Sequence, residues 1–284
     1  MKKLGLVIHQ HRSEVIDLAA SALKWCDGAG IEPSMPHADA ELVQRTDLGV
    51  SETEFGRHLD VCLSLGGDGT MLRAVALVAA NGVPILGVNA GHLGYLSEID
   101  PADMITALDQ WLAEVLRIER RMMIDLSVVD ASGERAIGVA LNEVVVDRSE
   151  SGRAVEVLVT INGEDFITHL TDALIVATPT GSTAYSLSAG GPIVEPNFRT
   201  LLLTPVAAHT VFNRPMVLAP DTEVVLTVKG HRNGVVSVDG QPIMELEPGQ
   251  SVICRASAIE AKLLIRGDRD FHSVLKEKFG LGGR

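Results

Sequence analysis

Val61-Cys62-Leu63-Ser64-Leu65-Gly66-Gly67-Asp68-Gly69-Thr70 joins a short apolar run to a glycine-rich turn, and Met71 to Ala80 follow, rich in Ala, Leu and Val. Residues 61–65 read as a buried strand that stops abruptly at Gly66-Gly67. Residues 71–80 read as a helix. A strand, a glycine turn and a helix in that order make half of a βαβ unit, and the same alternation extends in both directions. Residues 4–8 are a short apolar run ending at His9. In residues 14–25, Val15, Leu18, Ala22 and Trp25 fall at helical spacing. Residues 83–88 read as a third strand. Asp100 is a candidate N-cap with Pro101 at the first helical position, and Ile105, Leu108, Leu112 and Val115 continue at helical spacing. Strands alternating with helices predict a mostly parallel sheet covered by helices.

After Arg121 the pattern turns to β. Residues 123–129, 137–146, 155–161, 174–177, 224–228 and 235–238 all read as strands. Asn162-Gly163 between two such runs predicts a tight hairpin, because both central residues of a type I′ turn need positive φ, and Asn233-Gly234 and Asp239-Gly240 look similar. Residues 270–279 read as a terminal helix. The expected organisation is an α/β domain over residues 1–118 plus the tail 266–284, and a β-rich domain over 119–265.

The 284 residues are 46% hydrophobic and 21% charged, a globular composition that excludes long disorder. With 24 Lys+Arg against 37 Asp+Glu the formal net charge is −13, which argues against a general nucleic-acid binder. Cys26, Cys62 and Cys254 are too few and too scattered for a disulfide framework or a zinc site, and fit a reducing cytosol. No apolar stretch approaches the roughly 20 residues of a membrane-spanning helix. The expectation is a soluble cytoplasmic protein with neither nucleic acid nor membrane as partner.

Three segments carry chemistry. In the first, Gly66, Gly67 and Gly69 let the backbone approach an anion closely, and the helix that starts there adds partial positive charge; with Thr70 they form a candidate phosphate cradle. Asp68 stands inside it, where a carboxylate would repel phosphates. That placement suits a metal contact or a base for a hydroxyl; a plain helix cap also accounts for it. Arg73, about one turn on, is placed to face phosphates or solvent. In the second, Asn142-Glu143 interrupts an apolar run, offering a donor and acceptors that suit a base edge and ribose hydroxyls; a polar pair at a strand end is the alternative. In the third, Thr178 to Ser188 packs six Ser or Thr side chains and Tyr185 into eleven residues, and Gly181, Gly190 and Gly191 allow a close wall. Such hydroxyls suit hydroxyl-rich ligand groups and phosphate alike; an ordinary loop with a helical turn is the alternative. Asp172 lies just upstream.

Several motifs are missing. There is no G-x-x-x-x-G-K-[ST], no G-x-G-x-x-G after the first strand, no G-x-S-x-G elbow and no H-E-x-x-H. These absences speak against a P-loop ATPase, a standard dinucleotide dehydrogenase, an α/β-hydrolase and a zinc peptidase. His92 and His209 read as packing or capping residues.

Gly66-Gly67-Asp68-Gly69-Thr70, Asn142-Glu143 and the block from Thr178 to Pro192 occur in the order and approximate separation found in NAD kinases. Asn89 to Leu96 also resembles that family's stretch after the next strand, and the likeness covers nearly the whole chain. The first motif is shared with diacylglycerol-type lipid kinases and phosphofructokinases; the third block is the specific one. The resemblance implies an NAD kinase-like two-domain fold, α/β then β-rich, and Mg²⁺-dependent transfer of the ATP γ-phosphate to the 2′-hydroxyl of the adenosine ribose of NAD. Inorganic polyphosphate is an alternative donor in some bacterial members. It also implies a homodimer or homotetramer.

Carried over by position, the resemblance makes Asp68 the proton acceptor, with Gly69 and Arg73 beside the dinucleotide. Asn142 and Glu143 would hold the dinucleotide, Asp172 its ribose or nicotinamide groups, and Thr183, Ala184, Tyr185, Ser186, Leu187 and Ser188 its adenine and ribose walls. Arg153, Leu170 and Gln241 fall at further contact positions. Leu170 stands where some relatives carry a polar residue, and Ala173 replaces a more usual Gly. No metal ligand of the protein's own is implied; Mg²⁺ would arrive with ATP.

Overall fold

The structure is a computed structural model, and it describes residues 1–91, 94–97, 99–267 and 270–281. The chain forms two compact units, residues 1–120 with 259–284, and residues 121–258.

The first unit is α/β. Its elements are β1 (Lys3–Ile8), α1 (Glu14–Ala29), β2 (Glu32–Pro36), α2 (His37–Leu42), β3 (Gly49–Val50), α3 (Glu52–Phe55), β4 (Val61–Gly66), α4 (Asp68–Val78), β5 (Ile85–Asn89) and α5 (Met104–Leu112). The strands run parallel in the order β3-β2-β1-β4-β5. Every residue of β4 and β5 is buried, as expected of parallel strands covered on both faces. α1 presents Val15, Ala19, Ala22, Leu23 and Cys26 to the core at spacings of three and four, and ends at Gly30, whose φ of 66° closes the helix. Asp100 precedes a short 3₁₀ turn, Pro101–Asp103, that leads into α5.

The second unit is β-rich. β6 (Arg117–Asp130) leads into it, and β7 (Gly133–Ala140), β8 (Glu143–Arg148), β9 (Val155–Ile161), β10 (Glu164–Thr171) and β11 (Ala173–Ala177) follow. After the short α6 (Tyr185–Ser188) come β12 (Leu201–Val206), β13 (Met216–Leu218), β14 (Val224–Lys229), β15 (Gly234–Val238), β16 (Gln241–Leu246) and β17 (Ser251–Ile265). β13-β12-β11-β8-β15-β16 form an antiparallel sheet. β10-β9-β14 and the first part of β17 form another. Val144, Val146, Leu174 and Val176 share one core with Val157, Val159, Leu226 and Val228. Val145, Ala173, Ile175 and Ala177 point the other way, into a second cluster with Ala189 and Val194. β8 and β11 are thus apolar on both faces. The last residues of β17 return to the first unit, where Leu263 and Leu264 pair in parallel with Ile85 and Leu86, and α7 (Phe271–Lys278) follows with Asp270 capping the Ser273 N–H.

Three expectations need correction. The 137–146 run is two strands, because the chain leaves β7 at Ala140 and enters a different sheet at Glu143. Asn162-Gly163 and Asp239-Gly240 do make positive-φ hairpin turns, but Asn233-Gly234 does not. It links strands of different sheets, and the positive φ falls on Gly230 instead. The helix after the glycine turn starts at Asp68 rather than Met71, with Gly67 as its N-cap. An acid in the first turn meets the positive end of the helix, which favours this earlier start. Among the described residues, no helix is long and apolar enough to cross a membrane.

Candidate active site

In the first unit, β4 delivers Gly66 and Gly67 to the start of α4, and Asp68 occupies the first helical position. The N–H groups of Asp68 and Gly69 lie in the first turn, where a helix has no acceptor of its own. The Asp68 carboxylate accepts hydrogen bonds from the Tyr95 N–H at 2.9 Å and the Leu96 N–H at 3.1 Å. Gly94 makes this possible, since a Cβ there would lie 2.1 Å from Asp68 Oδ1. The Tyr95 phenol is pushed up in pKa by burial and then by the Asp68 charge, and Lys278 Nζ stands 4.0 Å from its ring centre. His92 and Leu93, in the stretch that resembles the family, lie outside the described residues.

The glycines of the cradle differ in what they need. A Cβ on Gly66 would strike Thr70 Oγ1 at 2.2 Å, so this glycine serves packing, and buried Thr70 fills the space. Gly67 and Gly69 have nothing within 4 Å of that position and neither has a positive φ. The Arg73 guanidinium pairs with fully buried Asp39, and the side chain keeps part of its surface exposed. Asp39 also accepts from the Ile8 N–H at 2.9 Å and from Gln10 at 3.2 Å. Nothing in the sequence His37-Ala38-Asp39 marks Asp39 as a functional residue.

In the second unit, the crossover into β8 is held by a carboxylate. Asp239 accepts from the backbone N–H of Leu141, Asn142 and Glu143 at 2.9, 2.7 and 3.1 Å. The Asn142 carbonyl accepts from the Thr178 N–H at 2.8 Å, and Thr178 Oγ1 donates to the Leu141 carbonyl. The second and third motifs therefore meet inside this unit. Asp239 was legible only as a turn residue; its role depends on where the β15–β16 hairpin lands.

Several hydroxyls of the third block turn inward. Ser182 exchanges hydrogen bonds with the backbone of Val194, and Ser186 bonds Thr204 in the core. Ser186, expected on a ligand wall, thus has its side chain in the interior. Thr183, Ala184 and Leu187 are half-buried, and Tyr185 and Ser188 are exposed. Asp172 pairs with Arg148, whose N–H also donates to the Asp172 carbonyl at 2.9 Å. The Tyr185 phenol is raised in pKa by burial, then by Asp147 and Asp172. Arg153 pairs with Glu150 on an exposed turn, Leu170 is exposed on β10, and Gln241 is exposed at the start of β16. No described hydrogen bond or ion pair links these three side chains to the loop of residues 178–188.

Glu143 is the most perturbed acid of the site. It is 5% exposed, and its Oε2 has no partner within the described structure. Burial, and then the Asp239 charge, push its pKa from 4.5 to about 7, against the Tyr185 backbone bond. A carboxyl with a raised folded pKa keeps its proton longer in the folded than in the unfolded chain. Its stabilisation is complete below pH 4.5 and is lost as the pH rises through about 7. Urea unfolding should show the protein losing on the order of 3 kcal/mol between pH 5 and pH 8 through this group. Glu143→Gln should flatten that profile and be the more stable form at pH 8; an unchanged slope would mean that Glu143 ionises freely.

A glycine turn at a helix start with an acid fixed beside it by backbone amides, and a second unit rich in carboxylates and hydroxyls, suit a nucleotide-handling phosphotransferase of two-unit architecture. The pattern described as the ATP-NAD kinase N-terminal domain matches residues 4–115, and that of the ATP-NAD kinase C-terminal domain matches residues 141–266. An NAD kinase of Heliobacterium modesticaldum is 38% identical over 284 residues, covering 99% of this chain and 100% of that protein. One of Moorella thermoacetica is 37% identical over 287 residues, covering 100% and 91%. Yeast NADH kinase complexed with NADH shares the fold at a TM-score of 0.90 and 21% identity, over 100% of this chain and 89% of that one. An NAD kinase from Archaeoglobus fulgidus in complex with ATP gives 0.75 at 23% identity, over 98% and 97%. The chain belongs to the ATP-NAD kinase family, and its fold is that family's α/β unit followed by a β-rich unit.

Proposed function

We propose that this chain transfers the γ-phosphate of ATP to the 2′-hydroxyl of the adenosine ribose of NAD, giving NADP and ADP. The observation that carries the reading is Asp68, fixed by two backbone N–H groups at the start of α4 beside two glycines that the chain's own packing does not require. In the reaction the ribose oxygen forms a bond to the γ-phosphorus, the bond from that phosphorus to the ADP oxygen breaks, and the hydroxyl proton passes to Asp68. Such transfer depends mainly on alignment and charge neutralisation, with a base acting late. The amides of Gly67, Asp68 and Gly69 and the α4 dipole supply positive potential for the phosphates. Asn142, Glu143, Asp172, Tyr185 and Ser188 hold the dinucleotide, and Arg73 braces α4 through Asp39.

No cluster of three or more His, Cys, Asp or Glu side chains among the described residues could hold a metal alone. Mg²⁺ is proposed to enter as its ATP complex, where it would neutralise phosphate charge. The test is incubation with NAD, ATP and Mg²⁺, with NADP read by an NADP-specific dehydrogenase. Formation of NADP is expected. NADP from polyphosphate but not ATP would change the donor. Failure with both, alongside measurable NAD binding, would make the protein a dinucleotide sensor.

A further inference from the structure

Order β3-β2-β1-β4-β5 places a reversal between β1 and β4. From β1 the chain crosses to β2 on one side, while β4 leads to β5 on the other, so the loops after β1 and β4 diverge at their carboxyl ends. In parallel α/β sheets, ligands bind in that crevice. One wall is the Gly66–Gly69 turn. The other is the loop of residues 9–13; the same loop lines a separate groove of about 230 Å³ with Ile8, Ile16 and Leu42, which no residue of the glycine turn borders.

That second wall is cationic and tied to the turn. The His9 N–H donates to the Leu65 carbonyl at 2.9 Å, extending the β1–β4 pairing to the glycines. Arg12 donates one Nη1 bond to the Ala90 carbonyl at 2.7 Å, and the Ala90 N–H donates to the Gly66 carbonyl at 3.0 Å. Arg12 has no carboxylate partner among the described ion pairs, and a guanidinium has five N–H donors. Of the nearby acids, Asp39 is engaged by Arg73 and Asp68 by two backbone amides. The His9 imidazole is lowered in pKa by burial and then by the neighbouring Arg12, His11 and Arg73.

We propose that the loop after β1 completes the donor site, with Arg12 and His11 binding the phosphoanhydride chain of the phosphoryl donor opposite the glycine turn. The inference rests on the phosphotransferase reading above and adds the residues that recognise the donor's phosphates. Arg12→Gln should raise KM for ATP about tenfold or more, the effect of losing a hydrogen bond to a charged group, and leave KM for NAD within about twofold. Inorganic tripolyphosphate should inhibit competitively against ATP, and its inhibition constant should rise in parallel. Because Arg12 also holds Ala90, exposed His11 gives a second variant, His11→Gln, with an expected rise of about threefold to tenfold. Folded variants with unchanged KM for ATP, a rise in KM for NAD instead, or absent tripolyphosphate competition would overturn the assignment. Calorimetric titration of tripolyphosphate into the wild type and Arg12→Gln reads the site without turnover. A wild type that binds it but makes no NADP defeats the activity reading alone, and equal binding by both proteins defeats this one.

Discussion

Asp68→Asn is expected to lower kcat by about 10²–10⁴, the usual contribution of a general base, while the protein still folds. Each oxygen of a carboxylate has two lone pairs, and the Tyr95 and Leu96 amides take one on each oxygen. The remaining lone pairs are available to a ribose hydroxyl. Asparagine keeps one of the two backbone bonds but sets its amide nitrogen against the other N–H. A loss of about 1–3 kcal/mol of stability should therefore accompany the loss of turnover, and urea unfolding would register it separately. If Asp68 instead contacts Mg²⁺, raising the metal concentration should restore part of the rate; if it is the base, the rate stays low at every concentration. Gly94→Ala offers an independent check, since its Cβ would fall 2.1 Å from Asp68 Oδ1 and displace a chemically intact carboxylate. Near-normal kcat in Asp68→Asn would remove this residue from the chemistry.

The features legible in the sequence are those whose cause is local. An apolar run that stops at Gly66-Gly67 can be read as a buried strand from its own residues, and Asn162-Gly163 as a hairpin from its φ requirement. What escaped depends on distant partners. β17 is fifteen residues long, yet Arg255, Glu260 and Lys262 break its apolar pattern, because its two ends serve different units. β2 carries two prolines and pairs at Lys3–Gly5 over a short register. Asp39 ties Arg73 and the Ile8 amide in the first unit, and Asp239 holds the crossover into β8 in the second, but each acquires that role only when Arg73 or the 141–143 amides arrive from elsewhere in the chain. From the sequence alone, the hydroxyl-rich block reads as a ligand wall. A loop crossing the face of a buried sheet must also satisfy its own backbone, and Ser182 is used for that, while Ser186 bonds the Thr204 hydroxyl in the core.

Glycine substitutions should separate fold from function in opposite directions. A Cβ on Gly181 would lie 2.1, 2.5 and 2.8 Å from the O, C and Cα of Asn142, all backbone atoms that cannot swing aside. Gly181→Ala must therefore push the loop of residues 178–188 away from the Asn142-Glu143 crossover, straining the Thr178-to-Asn142 bond and the 3.1 Å bond from the Gly181 N–H to Thr178 Oγ1. Overpacking of this kind costs about 1–3 kcal/mol. KM for NAD should rise about tenfold or more, because the residues assigned to the dinucleotide move with the loop. Gly69→Ala is the counterpart. Gly69 sits inside α4 with open space around it and no left-handed backbone, so alanine should stabilise the helix by up to about 1 kcal/mol. The same methyl group would stand where the donor phosphates are proposed to approach, and KM for ATP should rise while stability does not fall. Unfolding midpoints and KM values for both substrates, measured on the two variants, decide the matter. A Gly69→Ala enzyme with full affinity for ATP would show that the turn is glycine-rich for some reason other than phosphate, whereas a stabilised and donor-blind variant would tie the glycine directly to the chemistry.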